Sequence, residues 1–210
     1  MAEKASTFLW LTIAAFLVLL TELLIFPMHM NFDAIIIHWG FMCAIWGFGA
    51  WFLWRISKER GYDILEEWPK APLTNWIIVF VLLGFMIVTS YISWGGFKPI
   101  VSLGAMHRIF GNNGTLAFIA QQIYYLFEVA IFVTIIAFGQ KFGETAFKEK
   151  RVPWGGIVCA LTWGLVHIYT QDLLVGLVAV VWGLVFGTTY LLLKKNMRHA
   201  YPMIFLMFVL

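Results

Sequence analysis

Apolar stretches of about 20 residues recur along the chain, and they constrain its fold more than any other feature. A helix of that length rises ~30 Å, the thickness of the hydrocarbon core of a bilayer. Apolar residues form 62% of the 210-residue chain and charged residues 12%, which is too little polar surface for a water-soluble protein. The sequence therefore predicts an all-α, polytopic transmembrane helix bundle in a lipid bilayer, with a single domain over residues 1–210.

Six of the apolar stretches are long enough to cross the membrane. The predicted full spans are 7–27, 33–55, 75–97, 115–140, 153–171 and 173–193. A further apolar stretch, 201–210, covers only ~15 Å as a helix, so we expect a short C-terminal helix that packs on the bundle and supplies no metal ligand. The stretch 97–113 predicts a helix at the membrane interface. Gly183 and Gly187, four residues apart, predict a close crossing with another helix.

Lysine and arginine are distributed unequally between the two sides of the predicted bundle. Of the 14 basic residues, all but Lys98 and Arg108 lie on the side of the N-terminus. The positive-inside rule then predicts a multi-pass protein of the cell membrane with a cytoplasmic N-terminus. Because the basic residues lie at helix ends and form no binding patch, we expect no nucleic-acid partner.

Polar side chains inside the predicted spans are the candidates for function, because ionisable groups are costly in lipid. The helix rise puts several of them within ~10 Å of the bilayer centre, in one layer. Hydrogen bonding between helices explains Glu22 and His38 well, whereas Glu128 with His167 favours a site. The candidate binding residues of this layer are Glu22, His38, Gln121, Gln122, Tyr124 and Tyr125.

The second half of the chain contains a motif of a known membrane-protein family. Trp163 and His167 enclose three residues, and an apolar helix with Gly183 and Gly187 follows. In this respect residues 115–210 resemble the CPBP family, the CAAX-processing and bacteriocin-immunity (Abi) membrane proteins. Active members are intramembrane peptidases in which a glutamate activates water and histidines or an asparagine orient it or hold the oxyanion.

The resemblance implies catalytic roles for Glu128 and His167 and a binding role for Trp163. The family's first motif has two glutamates and then an arginine. With Glu128 as the second glutamate, phenylalanines occupy the other two positions. In the alternative register, Gln121 and Gln122 replace the two glutamates, and a neutral amide is not a general base.

The family's last motif is also incomplete in this chain. Leu206 and Leu210 occupy the histidine and the asparagine or aspartate positions, and leucine donates no hydrogen bond to an oxyanion. One carboxylate and one histidine fall short of the three protein ligands that are usual for catalytic zinc. We therefore expect no cofactor. A divalent metal such as zinc has no support in the sequence, and the metal question stays open.

Three functions are compatible with these patterns. The sequence favours a CPBP-like protein with degenerate proteolytic motifs that acts without catalysis in binding, immunity or assembly, with a peptide or a membrane protein as partner. The first alternative is an active, atypical intramembrane peptidase that uses Glu128 and His167. The second is a small-molecule or proton carrier that uses the layer of Glu22, His38, Glu128 and His167.

Overall fold

A computed structural model describes residues 4–25, 31–66 and 69–210, and every regular element in these ranges is helical. The all-α fold class is therefore confirmed. The helices are α1 Ala5–Leu19, α2 Thr21–Leu24, α3 Phe32–Glu59, α4 Leu73–Trp94, α5 Lys98–Phe110, α6 Gly114–Phe147, α7 Trp154–Cys159, α8 Leu165–Thr170, α9 Leu173–Leu192 and α10 Met197–Val209.

Four helical stretches in the described ranges are long and apolar enough to cross a membrane. They are Ala5–Leu24, Phe32–Glu59, Leu73–Phe147 and Leu173–Leu192, whereas the apolar stretch Trp154–Thr170 is shorter. The third stretch has 75 residues and contains α4, α5 and α6. Large apolar side chains are exposed on the outer faces of these helices, among them Trp10, Val81, Ile92 and Leu173. A lipid bilayer is the environment that suits such a surface.

Some helices end at other residues than the sequence predicts. Helix α4 ends at Trp94 because Gly95, with φ +67°, forms a left-handed C-cap. Helix α6 continues to Phe147, seven residues beyond the predicted end at 140. The predicted helix within 97–113 is present as α5. The end of the first predicted span, at residues 26–27, lies outside the described residues.

The fifth predicted span is not one regular α-helix. A π-helical turn at Ala160–Gly164 separates α7 from α8 and contains Trp163. The hydroxyl of Thr162 donates a hydrogen bond of 2.7 Å to the carbonyl of Val158. π-Helical turns occur often at functional sites, and this one ends three residues before His167.

Helix α6 is the central helix of the bundle and packs against α1, α3, α5, α7 and α10. Residues 131–140 are all buried, as expected of a helix that has neighbours on every side. Phe132 stacks on Phe186 of α9 with a centroid distance of 5.3 Å. This packing anchors α6 immediately after Glu128.

Helices α7 and α9 cross closely, as the glycine spacing predicts. A Cβ atom at Gly183 would lie 2.8 Å from the backbone nitrogen of Ala160, and a Cβ atom at Gly187 would overlap the backbone of Gly156. Only residues without a side chain allow the two backbones to approach so closely. The predicted crossing is confirmed.

A second polar cluster joins α6, α7 and the turn between α9 and α10 at the end of the bundle remote from α5. Lys195 Nζ lies 3.0 Å from Glu144 Oε2, and both side chains are largely buried. The Gln140 amide donates to Glu144 Oε1 at 2.8 Å and accepts from the backbone N–H of Gly155 at 3.0 Å. Each member has a charge-assisted or backbone partner, which is typical of a polar network that stabilises the fold.

Candidate functional site

A cavity of about 800 Å³ lies between the end of α4, the start of α5, the first half of α6, and helices α2, α8, α9 and α10. Its volume falls within the range of ~300–1,000 Å³ that is usual for ligand pockets. Trp94, Trp163, Trp182 and Phe208 form aromatic walls. The polar side chains on its lining are Glu22, Ser93, Lys98, Gln121, Tyr124, Tyr125, Glu128, His167, Thr170 and Gln171.

Glu128 and His167 line this cavity together, and Trp163 connects them. The indole Nε1 of Trp163 donates to Glu128 Oε1 at 3.4 Å, and His167 Nδ1 lies 2.8 Å from the Trp163 carbonyl oxygen. A carbonyl only accepts, so Nδ1 carries the proton and Nε2 of the neutral ring keeps a lone pair. The structure thus brings the two residues to one space, whereas their chemical roles remain predictions.

Glu22 is tied to two other helices. The hydroxyl of Tyr124 on α6 donates to Glu22 Oε2 at 2.5 Å. His38 Nε2 on α3 lies 3.6 Å from Glu22 Oε1, and the His38 ring is buried. A hydroxyl donor on one side and an imidazole on the other stabilise a carboxylate that is removed from bulk water.

Lys98 is the functional-site residue that sequence reasoning missed. The positive-inside count treats it as a loop charge, but its side chain is only 5% exposed and its ammonium donates to the carbonyl of Phe208. The ammonium also faces four rings, with centroid distances of 4.7–5.7 Å, in a cation–π arrangement. The rings are Trp94, Tyr125, Trp182 and Phe208.

The remaining predicted residues divide into two groups. Gln121 lines the cavity and accepts a hydrogen bond of 2.6 Å from the Ser102 hydroxyl of α5. Tyr125 also lines the cavity and packs edge-to-face on Phe208 at 5.1 Å. Gln122 is not among the lining residues, and its side chain makes no hydrogen bond to the described part of the chain.

The lining of the cavity combines hydrogen-bonding side chains with aromatic and aliphatic walls. In the ranges 4–25, 31–66 and 69–210, no group of three or more His, Cys, Asp or Glu side chains is placed to hold a metal ion. What the cavity offers instead is carboxylate, imidazole and amide acceptors between aromatic and aliphatic walls. Such a combination orients a small organic ligand.

Comparisons with protein-family models, curated proteins and solved structures give no match for this chain. The resemblance to CPBP proteins therefore rests on the motif residues alone. The cavity itself is defined by geometry, and what it does has to be derived from its side chains.

Proposed function

We propose that the chain is a six-span, CPBP-like membrane protein that binds a ligand in the cavity without cleaving it. The observation that supports this best is the shared lining: Glu22, Lys98, Glu128 and His167 come from four helices and face one space. Charged groups are costly in a bilayer, and a hydrated binding cavity is a setting in which they are found.

The CPBP-like part of the proposal is supported by the placement of the motifs. Helix α6 supplies Glu128, α8 supplies His167, and α10, which aligns with the last motif, supplies Phe208 to the same cavity. A phenyl ring neither activates water nor holds an oxyanion. The three helices that the resemblance implies thus all contribute to the cavity, and the contribution of α10 is apolar, which favours binding over hydrolysis.

Cleavage assays test the non-catalytic proposal. Purified protein in lipid nanodiscs is incubated with prenylated and leader peptides, and products are identified by mass spectrometry. We expect no product from the wild type or from Glu128→Gln. Glu128-dependent product would instead establish the atypical peptidase, because removal of a general base lowers activity by about 10²-fold or more.

Native mass spectrometry of the protein released from membranes tests ligand binding itself. We expect an adduct on the wild type that disappears when Val178→Trp fills the cavity. Val81→Trp is the matched control, since Val81 is 67% exposed on the outer face of α4 and lies away from the cavity. No adduct on the wild type, or an adduct that persists in Val178→Trp, contradicts the proposal.

A proton carrier is the second candidate function, and one observation favours it. His38, Glu22 and Tyr124 form a chain of proton-exchanging groups that ends at the cavity. Proton flux into liposomes, lost in Glu22→Gln, would establish this function. Absence of proton flux would exclude the proton-carrier function.

The topology that accompanies the proposal has the N-terminus in the cytoplasm of a cell-membrane protein. It counts α4 and α6 as separate spans and α7 with α8 as one broken span. With Lys98 in the cavity, Arg108 is the one remaining residue on the outer side among the lysines and arginines of the sequence, and the charge asymmetry increases. The cavity then lies in the outer half of the membrane, where α4 ends and α9 begins.

A further inference from the structure

Next to Trp163, two polar atoms that the cavity leaves available are hydrogen-bond acceptors, whereas Lys98, Gln121 and Tyr125 offer donors elsewhere on the lining. Glu128 Oε1 accepts from Trp163, whereas Glu128 Oε2 makes no hydrogen bond to the described residues. His167 donates through Nδ1, so its Nε2 is an acceptor, and it makes no hydrogen bond within the described ranges. A ligand that satisfies both atoms has to be a donor.

The charges on the lining also favour a donor that is positive. The described lining carries two carboxylates, Glu22 and Glu128, and one ammonium, Lys98. His167 is neutral when only Nδ1 is protonated. The cavity therefore has one uncompensated negative charge when both glutamates are ionised, and a cation compensates it.

The aromatic walls also favour a cationic ligand, because they already surround one ammonium group, that of Lys98. The Lys98 ammonium sits among Trp94, Tyr125, Trp182 and Phe208 in the corner of the cavity next to α5. Trp163 also lines the cavity, with ring-centroid distances of 4.5 Å to His167 and 6.0 Å to Phe208. An indole next to two acceptors is the environment in which organic ammonium groups bind.

From these observations, and given the binding function proposed above, we propose that the ligand is an organic cation with a hydrophobic body. Its ammonium donates to Glu128 Oε2 and His167 Nε2. Its body lies along the aliphatic wall that Leu174, Val175 and Val178 of α9 provide. Lys98 is a like charge in the same cavity, so it sets the distance at which the ligand's ammonium can bind.

Three probes of similar size and different charge test this proposal: 2-phenylethylammonium, 2-phenylethanol and phenylacetate. Binding to the full chain in nanodiscs of zwitterionic lipid is measured by equilibrium dialysis, with empty nanodiscs as the blank. We expect the ammonium to bind at least about tenfold more tightly than the alcohol or the acid, as one charge-assisted hydrogen bond predicts. Comparable affinity of the three probes, or tighter binding of phenylacetate, overturns the proposal.

Substitutions in the cavity identify the side chain that binds the ammonium. Glu128→Gln keeps the side-chain shape and should weaken binding of the ammonium at least about tenfold. Glu66→Gln, which neutralises an exposed carboxylate in a loop, is the matched control and should bind as the wild type does. Lys98→Met, which removes the competing positive charge, should strengthen binding of the ammonium and leave the alcohol unchanged. Unchanged ammonium binding in folded Glu128→Gln contradicts the assignment.

The failure of this inference is distinguishable from failure of the proposed function. A native-mass adduct that Val178→Trp removes, together with no preference for 2-phenylethylammonium, leaves a binding protein whose ligand is not a cation. Absence of both the adduct and ammonium binding overturns both proposals.

Discussion

At the scale of single residues, the polar groups of the bundle are stabilised in pairs across helices. Glu22 on α2 accepts from the hydroxyl of Tyr124 on α6, and Glu128 accepts from the indole of Trp163. A carboxylate in the membrane that loses its donor keeps the cost of desolvation without the compensating bond. The donors should therefore contribute measurably to stability.

Tyr124→Phe tests this contribution, because it removes the hydroxyl and keeps the ring. We expect the free energy of unfolding to fall by about 1 kcal/mol, the size of a polar contact between membrane helices. Thermal unfolding in detergent, followed by circular dichroism, gives the change. Tyr91→Phe, at a tyrosine that is 57% exposed, should be neutral, and equal effects of the two substitutions would contradict the assignment.

Sequence reasoning located Glu22, His38 and His167 at one level, with Glu128 closer to the bilayer centre, because helix rise converts residue numbers into depth. It failed at Lys98, since a residue that follows a two-glycine turn can point outward or inward. The left-handed Gly95 and the packing of α5 on α6 decide the direction. A lysine between Phe97 and Pro99 carries no periodic signal that reveals this.

At the scale of helices, close packing of α7 on α9 determines where Trp163 and His167 lie. The crossing was predictable from the spacing of Gly183 and Gly187, whereas the π-helical turn was not. The turn inserts a residue into a helix whose sequence looks regular, and it results from contacts with α9 that no local pattern encodes.

Gly187→Ala should force α7 and α9 apart. We expect destabilisation of about 1–3 kcal/mol, as for other overpacked interiors, measured by thermal unfolding. Gly84→Ala is the control: a Cβ there meets no atom within 4 Å, and alanine favours the helix by about 0.5–1 kcal/mol. If both variants are equally stable, the crossing is looser than described.

The position of α10 depends on the buried pair of Lys195 and Glu144. Lys195→Met leaves the carboxylate without its ammonium, and we expect a loss of about 3 kcal/mol in unfolding free energy. Lys194→Met is the matched control, because Lys194 is exposed and has a similar left-handed backbone, with φ +59° against +61°. Similar losses in both variants would assign the effect to the turn and not to the ion pair.

At the scale of the whole molecule, the helical lengths and exposed apolar faces indicate a bilayer, and the positive-inside rule predicts which side is cytoplasmic. Single cysteines in a background without Cys43 and Cys159 test the assignment with a membrane-impermeant thiol reagent. Glu66→Cys should react only from the cytoplasmic side and Asn112→Cys only from the outside. Reversed labelling would invert the topology and leave the fold unchanged.

The central claim is that the polar side chains face a hydrated cavity and not lipid. Val178→Cys tests it most directly, because Val178 lines the cavity whereas Val81 faces outward on α4. In intact vesicles, a small water-soluble thiol reagent added from the outer side should modify Val178→Cys and leave Val81→Cys unmodified. An unreactive Val178→Cys, or equal reactivity at both positions, would contradict the account.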